Sequence, residues 1–429
     1  MILGAGMTGL AAGRASGFPV YEAEETPGGI CSSYYVRPGE RERRHQQPED
    51  GEAYRFEIGG GHWIFGGDSI VLEFIKSLTP LKFYQRKSSV FFPEENRYVP
   101  YPIQNHLAYL DKTLAARALE EMVNAPRSKP ETMSQWLAQS FGPSLAEKFF
   151  NPFHELYTAG LYTRIAPQDS YKTPVDLDLV IKGAFDKTPA VGYNAAFVYP
   201  EAGLNTLALK MAEKCRVHYG KRALKIDAAS REVLFADGSA VKYQTLISTL
   251  PLNLMLKLTG ISPDAKADPH TSVLVLNIGA AKGKRCPDDQ WLYIPRSKSG
   301  FHRVGFYDNV DVSFLPRSAR AEHNRVSIYV ERAYKGGEKP SGNETAAYAA
   351  AVARELQEWG FIEEVEVNDP TWIDAAYTWC WPGSRWQGAA IKALEERGIY
   401  QAGRYGRWVF QGIAASIKEG FVIGAALAM

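Results

Sequence analysis

The segment Gly4-Ala5-Gly6-Met7-Thr8-Gly9 decides the fold class of this chain. It matches the pattern GxGxxG, whose first glycine permits a tight turn and whose second lets the backbone approach a pyrophosphate. The third glycine permits close packing of a helix on a strand. Residues 1–22 therefore predict a strand, a glycine turn, a helix and a second strand ending at Glu22, whose carboxylate is placed to accept ribose hydroxyls. By itself the pattern is also compatible with a plain glycine turn.

Two further glycine clusters distinguish the type of dinucleotide. Thr26-Pro27-Gly28-Gly29 follows Glu22, and Gly59-Gly60-Gly61-His62 comes after a charged loop. A nicotinamide site needs neither cluster, whereas an extended, buried FAD needs close backbone approach along its whole length. We therefore predict FAD as the cofactor. Its predicted contacts are Gly4, Gly6, Gly9, Glu22, Gly28, Gly29, Gly60 and Gly61.

Composition and charge exclude several classes of protein. The 429 residues suggest two or three domains, and the 45% hydrophobic and 23% charged residues are typical of globular proteins. The 49 basic and 48 acidic side chains leave a formal charge of +1, which gives no basic surface for nucleic acid. The four cysteines form no CxxC pair, so we predict neither disulfides nor a metal site. No apolar run approaches a membrane span and no signal peptide precedes the glycine motif, which predicts a cytoplasmic protein.

Hydrophobic patterning divides the chain into segments. Leucines recur at helical spacing after His106, and β-rich runs such as Ser272-Val273-Leu274-Val275-Leu276 begin later in the chain. The predicted fold class is α/β, with an FAD-binding Rossmann-type (two-dinucleotide-binding) domain, an inserted helical domain and a mixed, largely antiparallel β-sheet substrate domain. The FAD-binding domain is predicted to comprise residues 1–100, 191–260 and 391–429, the helical insertion residues 101–190, and the substrate domain residues 261–390.

Four later motifs carry a resemblance to a known family. They are Pro100-Tyr101-Pro102-Ile103-Gln104-Asn105, the segment 161–167, the segments 290–295 and 301–303, and Gly403-Arg404-Tyr405-Gly406. With the three glycine motifs, the sequence resembles the superfamily of flavin amine oxidases, protoporphyrinogen oxidase and UDP-galactopyranose mutase. The four later motifs resemble the mutase branch in particular.

The resemblance implies an isomerase that interconverts the pyranose and furanose forms of a nucleotide diphosphate-hexose through a reduced-flavin N5–sugar C1 adduct. The reaction involves no net oxidation, but because the reduced form of FAD is the active one, an external reductant such as NAD(P)H or another donor is needed to prime it. By the resemblance, Arg164 and Arg303 hold the leaving diphosphate, His62 lies beside the flavin, and Arg404 serves the FAD. Tyr101, Gln104 and Tyr293 would line the substrate pocket; packing roles for all of these residues stay open.

One departure from the mutases affects the substrate. Phe410 occupies the position at which the mutases carry a tyrosine that reaches the substrate diphosphate. The substrate is therefore predicted to be UDP-galactose or a different nucleotide hexose such as a GDP-sugar. The alternatives are an FAD-dependent oxidase or desaturase of the amine oxidase or protoporphyrinogen oxidase type, and a flavin-binding protein without turnover. Homo-oligomerisation also stays open.

Overall fold

The computed structural model describes residues 1–125, 128–168, 175–187 and 195–428. Its strands are, in chain order, β1 (Ile2–Leu3), β2 (Val20–Tyr21), β3 (Ser33–Val36), β4 (Tyr54–Glu57), β5 (Leu81–Gln85), β6 (Ser88–Phe92), β7 (Arg97–Pro100), β8 (Ala196–Pro200), β9 (Val217–His218), β10 (Ala223–Asp227), β11 (Glu232–Phe235), β12 (Ala240–Lys242), β13 (Leu246–Ser248), β14 (His270–Lys282), β15 (Trp291–Tyr293), β16 (Arg303–Phe306), β17 (Arg325–Lys335), β18 (Ile362–Thr378) and β19 (Ile399–Gln401).

The helices lie between and after these strands. They are α1 (Met7–Ser16), α2 (Ser69–Leu78), α3 (Lys112–Val123), α4 (Met133–Phe141), α5 (Pro143–Leu145), α6 (Asn151–Tyr157), α7 (Leu177–Phe185), α8 (Leu204–Ala212), α9 (Leu252–Thr259), α10 (Ala319–Glu322), α11 (Gly342–Trp359), α12 (Trp386–Glu395), α13 (Gly403–Gly406) and α14 (Ile413–Leu427). Within the described ranges, none of them is long and apolar enough to cross a membrane.

A parallel sheet carries the opening glycine motif. Among the described residues its strand order is β19-β13-β1-β2-β9, and every neighbouring pair is parallel. β1 is only two residues long and lies at the centre, where its apolar side chains are fully buried. Ligands bind at the carboxyl ends of such strands, where the order changes direction. The glycine turn after β1 is therefore at the position that a dinucleotide requires.

A second sheet forms the opposite layer, and among the described residues its order is β18-β14-β17-β16-β15-β6-β7. The long strands β14, β17 and β18 pair antiparallel, while β15 and β6 pair parallel. This combination of a parallel and a largely antiparallel sheet confirms the predicted fold class.

Helices α3 to α7 cover one end of the second sheet. Their apolar faces share a buried core with Val90 of β6, Val99 of β7 and Trp379, which follows β18. Asp111 is the N-cap of α3, and its side chain accepts hydrogen bonds from the amides of Thr113 and Leu114. The helices thus form a wall beside the sheet rather than a separate globule.

The predicted domain limits stay predictions. The first segment, residues 1–100, contributes β1 and β2 to the parallel sheet but β6 and β7 to the second sheet. The limit between residues 190 and 191 lies outside the described residues.

Candidate active site

A cavity of about 520 Å³ lies between the two sheets. Its walls come from the carboxyl ends of β1, β2, β13 and β19 and from side chains on β15 to β18. The predicted site residues that line it are Gly4, Gly6, Glu22, Gly28, Gly29, Gly61, His62, Tyr101, Tyr293, Arg303 and Arg404. Residues from distant parts of the sequence therefore meet in one cavity.

The glycine turn leaves the start of α1 open to this cavity. Gly6 is the N-cap of α1, no side chain caps the helix, and its first turn contains no acidic residue. A Cβ atom at Gly6 would meet nothing within 4 Å, whereas one at Gly9 would collide with the carbonyl oxygen of Gly4. The free amides and the open space at Gly6 fit a pyrophosphate, and Gly9 is needed for the close packing of helix and strand.

Glu22 fastens the glycine turn from the neighbouring strand. One of its carboxylate oxygens accepts a hydrogen bond of 2.6 Å from the amide of Ala5, and the other accepts one of 3.0 Å from the amide of Glu24. Gly28, with φ +110°, donates its amide to the carbonyl oxygen of Ala5 at 2.9 Å. A carboxylate has about four acceptor sites, so Glu22 keeps capacity for ribose hydroxyls. The first and second glycine motifs together fit the adenosine diphosphate half of FAD.

The third glycine motif follows β4 and packs against the second sheet. A Cβ atom at Gly61 would collide with the hydroxyl of Tyr329, and one at Gly60 would lie 3.0 Å from a carboxylate oxygen of Glu331. Gly60 also has φ +79°, a conformation that favours glycine. The close packing of this loop on β17 therefore requires glycine at both positions, independently of any contact between the loop and a cofactor.

His62 extends from this loop into the cavity. Its Nδ1 lies 3.3 Å from the carbonyl oxygen of Gly60. Burial, together with the positive charge of Arg404, lowers the pKa of His62 to about 4. The imidazole is therefore neutral at pH 7, and one ring nitrogen can act as a hydrogen-bond acceptor.

A row of three cross-strand neighbours forms the wall opposite the glycine turn. Tyr293 on β15 pairs with Arg303 on β16, which in turn pairs with Glu331 on β17. The Arg303 guanidinium lies 5.5 Å from the Tyr293 ring centre and 3.4 Å from the Glu331 carboxylate. Its side chain is 22% exposed and lines the cavity, while the Glu331 side chain is 5% exposed.

Glu331 was not predicted from the sequence. Burial alone would raise its pKa, but the charge of Arg303 and the proximity of His302, whose Nε2 lies 3.5 Å from the carboxylate, lower the pKa to about 2. Tyr377 places its hydroxyl 3.5 Å from the same carboxylate. Glu331 is thus a buried anion that holds Arg303. The sequence feature that could have identified Glu331 is its charge at the end of the mostly apolar strand segment Arg325-Val326-Ser327-Ile328-Tyr329-Val330-Glu331.

Arg86 was also missed, since nothing in its local sequence marks it. Its guanidinium lines the cavity and donates a hydrogen bond of 3.0 Å to the carbonyl oxygen of Tyr101. The Tyr101 and Tyr293 rings are 4.4 Å apart. Beyond them the cavity ends in apolar and aromatic side chains from the helical wall, namely Met133, Trp136, Phe149, Phe150 and Phe153.

Arg404 lies at the other side of the cavity, at α13. It donates to the carbonyl oxygen of Ala376 at 3.2 Å, and its guanidinium lies 4.6 Å from the centre of the Phe410 ring. Phe410 lines the cavity, where it stacks on an arginine instead of offering a hydroxyl.

Other predicted residues lie outside the cavity. Arg164 lines a separate pocket at the surface. Gln104 is fully buried in a short 3₁₀ helix (Ile103–Asn105). Gly9 and Gly60 pack against residues that line the cavity but do not line it themselves. Direct roles for these residues in binding stay predictions.

Comparisons with known proteins agree with this architecture. A family model described as flavin containing amine oxidoreductase matches residues 10–279. The match spans more than half of the chain, which therefore belongs to the flavin-containing amine oxidoreductase family. The protein is a flavoenzyme of this family, and the residues around Gly6 and Glu22 fit its cofactor.

Solved structures with a similar fold differ in activity. A reduced UDP-galactopyranose mutase is 23% identical, with a TM-score of 0.81 over 99% of this chain and 94% of that chain. A CLA-producing fatty acid isomerase from P. acnes is 13% identical, with a TM-score of 0.60 over 98% of this chain and 96% of that chain. A putrescine oxidase bound to putrescine is 17% identical, with a TM-score of 0.55 over 99% of this chain and 98% of that chain. At these identities the similarity concerns the fold alone.

Proposed function

We propose that this protein is a flavin-dependent nucleotide-sugar mutase that interconverts the pyranose and furanose forms of a nucleotide diphosphate-hexose. The observation that carries the proposal is the position of Arg303 in the same cavity as His62 and the glycine loop. A guanidinium fork pairs with phosphate oxygens in bidentate geometry. The similarity of the fold to a UDP-galactopyranose mutase supports the same reaction.

The residues of the cavity have different roles in this reaction. When bound, reduced FAD supplies the nucleophile for the anomeric carbon of the sugar. Arg303, kept in place by Glu331, stabilises the negative charge of the diphosphate as it leaves. Neutral His62 is placed to accept a hydrogen bond beside the flavin, and Arg404 adds positive charge on that side. Tyr101 and Tyr293 form an aromatic wall against which the nucleotide can stack.

Phe410 affects how the cavity would hold the diphosphate of the substrate. Phe410 offers no hydroxyl to the diphosphate. Stabilisation of the negative charge of the diphosphate therefore depends more strongly on Arg303 and Arg86. Both UDP-galactose and a GDP-hexose are candidate substrates.

The aromatic end of the cavity favours a second candidate, an FAD-dependent oxidase or desaturase of an amine or a porphyrinogen. Met133, Trp136, Phe149 and Phe150 form an apolar surface that an apolar substrate would cover. This candidate gives no role to the ion pair between Arg303 and the buried Glu331, and for that reason it ranks second.

The test of function incubates the flavin-loaded protein with UDP- and GDP-hexoses, and chromatography then separates furanose from pyranose. We expect a furanose product after reduction with dithionite and none from the oxidised protein. If no nucleotide hexose yields a furanose, and the oxidised protein consumes oxygen with an amine or a porphyrinogen, the second candidate replaces the first.

A matched pair of variants tests the role of Arg303. Arg303→Lys keeps a positive charge beside Glu331 but loses the planar fork, so kcat/KM is expected to fall about 10- to 100-fold while the flavin spectrum is unchanged. Arg332→Lys changes the neighbouring arginine on β17, which donates to the carbonyl oxygen of Ser299 outside the cavity, and should retain full activity. If Arg303→Lys loses its flavin, the role of Arg303 is to bind the cofactor and not the diphosphate of the substrate.

A further inference from the structure

His302 is a fully buried histidine behind the wall that carries Arg303. It precedes Arg303 in the sequence, and its backbone amide donates to the carbonyl oxygen of Glu331 at 3.0 Å. Its ring packs against Phe153 and Tyr157 of α6, with its centre 6.0 and 5.3 Å from theirs. Both of these aromatic side chains line the cavity, whereas His302 does not. The histidine therefore connects the helical wall to the second sheet without facing the cavity.

The ring nitrogens of His302 are an exception to the rule that buried polar atoms are hydrogen-bonded. Within the described ranges, neither Nδ1 nor Nε2 makes a hydrogen bond of normal geometry. Nε2 lies 3.5 Å from Oε2 of Glu331, slightly further than in a formed hydrogen bond. In unliganded active sites such contacts are often long and shorten when a ligand binds. The position of Nε2 thus indicates a contact with the Glu331 carboxylate and not packing alone.

The carboxylate determines which ring nitrogen of His302 carries the proton. Burial lowers the pKa of His302 below its ordinary value of 6.5, against the opposite effect of Glu331. The imidazole is therefore predominantly neutral at pH 7 and carries a single ring proton. Because a carboxylate only accepts hydrogen bonds, that proton belongs on Nε2, and Nε2–H points to Oε2 of Glu331. Arg303 and this donor together keep Glu331 ionised.

The two oxygens of the Glu331 carboxylate have different partners. Oε1 lies 3.4 Å from the Arg303 guanidinium, and Oε2 lies 3.5 Å from Nε2 of His302 and 3.5 Å from the hydroxyl of Tyr377. Because a carboxylate is rigid, a group that holds Oε2 also fixes the direction in which Oε1 faces the arginine. Tyr377 lines the cavity, where a ligand can compete for its hydroxyl. His302 lies behind the cavity and keeps its contact with Oε2 when a ligand is bound.

We propose that His302 is a positioning residue, which donates its Nε2–H to Glu331 and thereby holds Arg303 in the orientation that receives the substrate. The inference rests on the proposed function, in which Arg303 stabilises the charge of the leaving diphosphate. It gives His302 no contact with the substrate. Without the donor, Glu331 is free to rotate, and Arg303 loses the fixed orientation that bidentate binding requires.

Two variants separate the donor of His302 from its packing. His302→Gln keeps an N–H group near the position of Nε2, whereas His302→Leu keeps the apolar packing with α6 but offers no donor. With a nucleotide hexose that the wild type turns over, kcat/KM should fall about tenfold in His302→Leu and stay within about twofold in His302→Gln. His270→Leu is the matched control and should keep the wild-type kcat/KM, since the half-buried His270 ring packs on Trp408 outside the cavity.

NMR of the oxidised, flavin-loaded protein tests the same contact without turnover. With ¹⁵N-labelled arginine, exchange of the Arg303 Nε–H with solvent should be at least about threefold faster in His302→Leu than in the wild type and unchanged in His302→Gln. With ¹⁵N-labelled histidine, the wild-type His302 ring should be the neutral Nε2–H tautomer at pH 7. A ring protonated on Nδ1, or equal exchange in His302→Leu and the wild type, would overturn the proposal; the first result requires no variant that folds.

The outcomes distinguish this inference from the proposed function. If the wild type isomerises no nucleotide hexose, the proposed function fails, and the exchange of the Arg303 Nε–H still decides whether His302 holds the arginine. If the wild type is active and His302→Leu retains full kcat/KM, or both His302 variants lose the same activity, His302 contributes by packing alone and the positioning role is wrong.

Discussion

Glu57 is the last residue of β4 and precedes the three glycines that end at His62. It is fully buried, and one of its carboxylate oxygens accepts hydrogen bonds from Ser33 and Tyr199. Burial raises its pKa from 4.5 to about 7, although these hydrogen bonds and the charge of Arg55 act in the opposite direction. The native protein therefore keeps this proton up to about pH 7, while the unfolded chain releases it near pH 4.5.

The free energy of unfolding should depend on pH through this residue. Because the native state binds the extra proton, its contribution to stability is complete below pH 4.5 and is lost as the pH rises to about 7. Relative to the wild type, Glu57→Gln should gain stability between pH 5 and pH 8, by on the order of 1–3 kcal/mol. Urea denaturation across this range measures the difference. An exposed control, Glu364→Gln, should show no such gain; an equal pH dependence in wild type and Glu57→Gln would contradict the assignment.

The Arg303–Glu331 pair shows how far single residues can be predicted from the sequence. Arg303 lies in a segment that resembles a known motif, but Glu331 lies in a run that reads only as a buried strand. Their contact depends on the register of β16 and β17, which joins residues 28 positions apart. Register is set by the packing of the whole sheet, so the sequence of either strand alone does not contain it.

At the scale of elements, glycine spacing predicted the β1–α1–β2 unit, and the structure also shows why α1 needs a second helix. α14 crosses α1 with Gly420 and Gly424 at the contact. A Cβ atom at Gly420 would lie 2.7 Å from the Cβ of Ala11 and would collide with the carbonyl oxygen of Thr8. The sequence of α14 is rich in glycine and alanine, but the helix on which it packs could not be read from that composition.

Gly420→Ala should therefore separate α14 from α1. Overpacking of this kind costs about 1–3 kcal/mol, and because Thr8 lines the cavity, the variant should also retain less flavin. Gly388→Ala is the matched control, since Gly388 is in α12 and a Cβ atom there would meet nothing within 4 Å. That control should be more stable than the wild type by about 0.5–1 kcal/mol. Thermal denaturation and flavin absorbance measure both; equal stability of the two variants would show that the helices adjust freely.

At the scale of the whole molecule, the order of the segments was predictable and their division between layers was not. Glycine motifs and strand patterns indicated a nucleotide domain built from separate parts of the chain, because each part carries its own local signal. Residues 81–100 were predicted to lie in the first segment of the nucleotide domain, without indication of a sheet for them. In the structure β6 pairs with β15 of the second sheet, and β7 pairs with β6. The place of Arg164 at the surface likewise depends on how the helical wall packs on β18.

The cavity joins parts of the chain that are far apart in sequence, and this predicts how the protein responds to loss of its cofactor. Gly6, Thr249 and Gly403 line it from three separate segments of the parallel sheet. A ligand that contacts all three stabilises the folded state, by about 4 kcal/mol at a thousand times its Kd. Removal of FAD should therefore lower the Tm and expose the chain to limited proteolysis, and added FAD should reverse both effects. Riboflavin is the matched control, because it lacks the pyrophosphate that the open N-terminus of α1 would bind, and should restore little of the Tm. Full recovery with riboflavin would mean that the glycine turn at Gly6 contributes nothing to cofactor binding.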